Sequence, residues 1–181
     1  MRTIYRTTFS VFALFFAAVA QQTTAPAVPE PDTLNLFYRL DNGKLVSLEP
    51  QTTSGVQLQH GFMSSKAAGV TELSGGQSPV RFKAGPLEFV VATGGDPAVF
   101  SLRKLEIKKG KRGDSRELLI VTSQASVFHA GKMNMSQRTI PLDFTRYGSS
   151  SYRAVPKEPL TPGEYAFWRP DGQVAFCFGV D

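Results

Sequence analysis

No stretch of this sequence repeats apolar residues at the i, i+3, i+4, i+7 spacing of a helix face. β-Branched and aromatic residues come instead in short runs closed by Gly, Pro, Ser or Asn, the pattern of half-buried strands and their turns. The chain is therefore expected to be all-β: an antiparallel β-sandwich, immunoglobulin-like in type, with a partly open β-barrel as the alternative. The spacing of the runs predicts roughly eight or nine strands.

The N-terminus has a different composition. Arg2 and Arg6 precede a short apolar run from Val11 to Val19, and Ala18-Val19-Ala20 offers the small residues of a cleavage site. This reads as a Sec-type signal peptide over residues 1–20, cut before Gln21, which predicts a secreted or periplasmic protein. The apolar run is about half of the roughly 20 residues a spanning helix needs, so no transmembrane span is expected after cleavage. Residues 21–33 hold three prolines and almost no large apolar side chain, the composition of an extended linker. The remaining residues, 34–181, suit one domain with a single core. Losing both signal-peptide arginines lowers the formal charge from +5 to +3, too modest a balance to imply nucleic acid. A single cysteine, Cys177, excludes an intramolecular disulfide, so packing must supply the stability.

Two hairpins stand out. In the first, Leu34 to Leu40 and Leu45 to Glu49 flank Asp41-Asn42-Gly43-Lys44. Asn-Gly suits a type I′ turn with positive φ at both central residues, and Asp41 then faces Lys44. The second is the C-terminal stretch from Gly163 to Val180. A four-residue loop Arg169-Pro170-Asp171-Gly172, with Pro170 at i+1 of a type I turn, puts Tyr165 and Phe167 on one face with Val174, Phe176, Phe178 and Val180. The opposite face then carries Ala166, Trp168, Ala175, Cys177 and Gly179. Between the hairpins, Val99 to Ile107 and Glu117 to Thr122 suggest strands around a basic tip, and Ile140 to Phe144 reads as one short strand.

Leu160-Thr161-Pro162-Gly163-Glu164-Tyr165-Ala166-Phe167 resembles the tyrosine corner of immunoglobulin-like and fibronectin-type-III-like sandwiches. The resemblance implies that the Tyr165 hydroxyl bonds back to the corner backbone and that Gly163 supplies its permissive φ. It covers about eight residues and implies a fold, not a ligand. The order of Leu36-Phe37-Tyr38, Lys44 to Pro50, Arg116-Glu117-Leu118 and Pro162-Gly163-Glu164-Tyr165 is also similar to a group of secreted bacterial domains of the acidobacterial type. That likeness implies no activity.

Candidate chemistry is sparse. The face of Ala166, Trp168, Ala175 and Cys177 reads either as an apolar platform for a ligand or partner or as a strand buried on both sides. Cys177, mid-strand, is expected to be inert. His60 with Met63, and His129 with Met133 and Met135, pair imidazoles with thioethers soft enough for copper, which is the one cofactor these residues suggest. Lys108, Lys109, Lys111, Arg112 and Arg116 form the basic tip, read as a solvated charge cluster or a contact for an anionic surface. No aromatic residue interleaves with these charges, so nucleic acid is not an expected partner. Gly-x-Ser-x-Gly, Walker and His-Glu-x-x-His motifs are missing from the sequence. The function expected is a non-catalytic module with an interaction or structural role, its partner a protein or a cell-envelope component. Copper binding is the alternative, and a hydrolase of unrecognised type the third reading.

Overall fold

The structure, a computed structural model, describes residues 29–60, 66–111, 113–126, 129–134 and 139–181. The predicted signal peptide lies outside the described residues. In chain order the strands are β1 (Phe37–Asp41), β2 (Lys44–Ser47), β3 (Glu49–Thr52), β4 (Gln57–His60), β5 (Lys66–Ser74), β6 (Arg81–Phe82), β7 (Phe89–Ala92), β8 (Ser101–Lys104), β9 (Glu106–Lys108) and β10 (Ser115–Ser126). They continue with β11 (His129–Asn134), β12 (Thr139–Ile140), β13 (Leu142–Arg146), β14 (Ser151–Pro156), β15 (Gly163–Trp168) and β16 (Val174–Val180). A 3-10 turn at Pro97–Val99 is the one helical element among the described residues.

These strands form three sheets that do not close into a barrel, giving an all-β sandwich. The first runs β13-β14-β7-β1-β2. The second runs β12-β8-β15-β16-β3 with β6 added on β16, and the third runs β11-β10-β5-β4 with β9 added on β10. All pairs are antiparallel except β6 with β16. The second sheet is the middle layer, because the β15–β16 hairpin is apolar on both faces and needs a cover on each.

On one face, Phe167 stacks on Phe37 of the first sheet with centroids 4.0 Å apart, and Phe89 packs edge-on to Phe167 at 4.9 Å. Tyr165, Phe178, Val180, Leu102, Val91 and Ala154 complete this core. On the other face, Ala166, Trp168, Ala175 and Cys177 meet Leu73 and Leu118 of the third sheet, with Leu105 alongside.

Local chemistry set the turns as expected. Asn42 and Gly43 have φ of 48° and 75°, and Asp41 pairs with Lys44 across them. In the C-terminal hairpin the Gly172 N–H donates to Arg169 O at 2.9 Å, closing the turn on Pro170 and Asp171. The first cross-strand pair is Trp168 with Ala175, so the connection is two residues longer than the four expected. An even count keeps the parity, and Tyr165 faces Phe178 while Phe167 faces Phe176. Val174 departs from its predicted face partners by being exposed at the strand end.

The described residues form sixteen strands rather than the eight or nine expected, and part of the excess arises because single runs of chain change sheets. The Leu45-to-Glu49 run leaves the first sheet for the middle one at Leu48, whose N–H donates to Phe37 O at 3.0 Å. The run expected as one strand from Val99 to Ile107 passes from the middle to the third sheet at Leu105, whose N–H donates to Glu164 O at 2.8 Å. Ile140 to Phe144 breaks at Pro141, which lacks the N–H a continuous ladder would use. Leu48 and Leu105 are buried at their crossings, so each change of sheet is anchored by an apolar side chain.

The corner forms as the resemblance implied. The Tyr165 hydroxyl donates to Thr161 O at 2.5 Å, and Gly163 takes a φ of 151°. Tyr165→Phe removes this bond and the 3.3 Å contact of the hydroxyl with Thr161 Oγ1, and is expected to cost about 1 kcal/mol. The measurement is a urea transition whose midpoint falls with an unchanged slope; an unmoved midpoint would remove the corner bond from the forces holding the hairpin.

Candidate functional site

The face of Trp168, Ala166, Ala175 and Cys177, read from the sequence either as a platform or as a strand buried on both sides, is buried and offers no surface. Trp168 is 3% exposed and the other three are fully buried, because the third sheet lays Leu73 and Leu118 over them. Arg103 completes the cover, its guanidinium 5.6 Å from the Trp168 ring. It donates to Ser101 Oγ at 3.2 Å and to Leu119 O at 2.8 Å. Burial pushes the Cys177 thiol up to about 12, against the opposing pull of Arg116, so it is a neutral apolar filler at ordinary pH.

The basic tip is smaller than its sequence suggests. Arg116 is not at the tip: register with Leu73 turns it inward between the third and middle sheets, where it is fully buried. Lys108 lies on the rim, 2.8 Å from Glu117 and 3.3 Å from Glu72. Lys109 and Lys111 are exposed, and Arg112 lies outside the described residues.

What Arg116 joins is the most polar cluster in the described interior. Its Nη1 lies 2.9 Å from Glu49 Oε2 and 3.8 Å from Glu164 Oε2. Its Nε donates to Gly75 O at 3.0 Å and its Nη2 to Ser74 O at 2.8 Å. Glu164, nearly buried, accepts from Arg81 Nη1 at 2.7 Å and from the Ser78 N–H at 2.8 Å. Arg81 in turn holds Asp181 through Nε at 2.9 Å. Ser78, itself buried, donates its hydroxyl to Cys177 O at 3.4 Å. A guanidinium can satisfy several acceptors in fixed directions, which is why arginine rather than lysine can sit here.

Burial draws the Glu49 carboxyl upward, yet hydrogen bonds from Arg116, Ser78 and Gln51 outweigh it and hold the group below the ordinary glutamate value. The sequence carried one signal of this cluster: Glu164 is the lone acid in the two otherwise apolar strands of the C-terminal hairpin.

Of the copper candidates, Met63 and Met135 lie outside the described residues. The registers align His60 with Ala67, Ala67 with Ser123 and Ser123 with Met133, which places His60 and Met133 on one rung of the third sheet. They stand three strand spacings apart, about 14 Å. His129 pairs with Ser126, further along the same sheet.

A groove of about 550 Å³ opens beside the tyrosine corner. Leu105, Ile140 and Leu160 provide apolar wall, and Lys104, Glu158 and Tyr165 contribute polar atoms. Lys104 Nζ donates to Thr161 Oγ1 at 2.8 Å and lies 5.6 Å from the Tyr165 ring. No sequence motif marked this groove, since its walls come from segments far apart in the chain.

Compared with family models, curated proteins and solved structures, the chain matches none. No helix among the described residues is long and apolar enough to cross a membrane.

Arg116→Met leaves Glu49 and Glu164 without their shared cation and is expected to cost about 3–5 kcal/mol. A carboxyl held below its ordinary 4.5 contributes stability above that pH and loses it as pH falls through the folded value. The wild-type protein should therefore weaken on acidification in this window. In Arg116→Met burial dominates at Glu49, so its share of this acid loss should disappear and the slope should flatten; thermal melts from pH 3 to 6 read both. A thiol reagent should leave Cys177 unmodified in the native protein and label it fully in denaturant, and rapid native labelling would contradict the buried assignment.

Proposed function

We propose that the protein is a non-catalytic β-sandwich module, exported by a Sec-type signal peptide, with an interaction or structural role at the cell envelope or outside the cell. The use made of its buried polar groups carries this reading. Arg116, Glu49, Glu164, Arg81 and Ser78 bond one another and the backbone, and thereby brace the layers. A scaffold braced internally leaves recognition to its rim. There the groove beside the tyrosine corner offers apolar wall with Lys104 and Glu158 of opposite charge, a composition suited to a protein segment or an envelope polymer.

The test is expression of the full chain in a Sec-competent bacterium. The protein should leave the cytoplasm with Gln21 as its first residue by intact mass, and should cosediment saturably with isolated envelopes. Glu158→Lys, an exposed change, should weaken that association by roughly threefold to tenfold. Retention in the cytoplasm with the leader intact, or no saturable association with envelope or exported protein, would sink the reading.

A further inference from the structure

The loop between β13 and β14 handles its backbone polarity unusually. Arg146 donates from Nε to Gly148 O at 2.9 Å and from Nη2 to Ser149 O, and its guanidinium lies 5.0 Å from the Tyr152 ring. Carbonyls are thus drawn to one side. Donors gather on the other: the N–H groups of Ser149 and Ser150 and the hydroxyls of Ser149 and Ser151.

These four donors converge on one carboxylate, that of Glu30. Oε1 accepts from Ser149 N at 2.9 Å and Ser149 Oγ at 3.2 Å. Oε2 accepts from Ser151 Oγ at 2.9 Å, Ser150 N at 3.2 Å and Ser149 Oγ at 3.4 Å. Both oxygens are fully served by neutral donors, the arrangement of a backbone anion nest. Gly148 completes the cradle, since a Cβ at this residue would overlap the Glu30 carboxyl group. The visitor is also preorganised: Glu30 lies between Pro29 and Pro31, whose φ angles are fixed, and Pro31 is buried against the domain.

We infer that the Gly148–Ser151 loop is a carboxylate-binding site whose resident ligand is the chain's own Glu30, clasping the proline-rich segment to the domain. When Glu30 leaves, the same donors accept a carboxylate supplied by another molecule. The site does not depend on the envelope role proposed above. Hydrogen bonds from the Ser149 and Ser150 amides, then the Ser151 hydroxyl, hold the Glu30 carboxyl at about 2, as an occupied nest requires.

The experiment is NMR on the full mature chain, with acetate as the probe. In wild type the Ser149 and Ser150 amide signals should ignore acetate, and the Glu30 side-chain carbon should titrate near 2 rather than near 4.5. In Glu30→Ala the same two amides should shift and then respond saturably to acetate. Gly148→Ala should shift them without any acetate response, because the added methyl fills the cradle. Limited proteolysis within residues 29–33 should speed up several-fold in both variants. Three results would overturn the inference: an ordinary titration of Glu30, unmoved amides in Glu30→Ala, or an acetate response in Glu30→Ala that never saturates. The remaining amide signals report whether each variant is folded.

Discussion

A guanidinium with no access to water sets the terms for half of this molecule. Arg116 lies between the third sheet and the middle one, and its donors reach Glu49 at the start of β3 and carbonyls at the end of β5. Glu164, close by, is shared with Arg81 and Ser78. Four segments that are distant in sequence thus meet around two buried charges. An ion pair in such a place adds little net stability over a well-packed apolar substitute, but losing one partner is costly. Its effect is therefore on register: a one-residue slip of β5 or β10 would strand Arg116 among leucines or in solvent.

The middle sheet shows the complementary constraint. Its first core is aromatic, with Phe37, Phe89, Phe167 and Phe178 linked in a series of ring contacts; its second is built from alanines, one tryptophan and one cysteine. Large residues on one face and small ones on the other let two partner sheets approach from opposite sides without overfilling either space. The cysteine belongs to this geometry, which explains its isolation and its suppressed acidity.

What could be read from the sequence was local. Asn42-Gly43 specifies its turn through its own φ preferences, and the alternation from Tyr165 to Val180 specifies faces whatever the loop length, provided it is even. The tyrosine corner needs only four residues to close. What escaped depends on distance along the chain. Arg116 looks like a loop cation until Glu49, sixty-seven residues earlier, is placed beside it. Val99 to Ile107 looks like one strand because nothing at Leu105 interrupts the apolar pattern; the crossing is set by the Glu164 carbonyl across the sheet. Glu30 has the composition of a linker, and its partner loop lies about 120 residues on.

The changes of sheet at Leu48, Leu105 and Pro141 bear on how such a chain reaches its native state. Each crossing commits neighbouring residues to different layers, so few strands can complete their hydrogen bonds with a near neighbour alone. Long loops must close before most contacts exist to compensate them, and topologies of this kind fold in milliseconds to seconds. During that interval the apolar β15–β16 hairpin has two uncovered faces. Delayed closure and a period with both apolar faces uncovered are thus joint consequences of placing the most apolar hairpin in the middle layer.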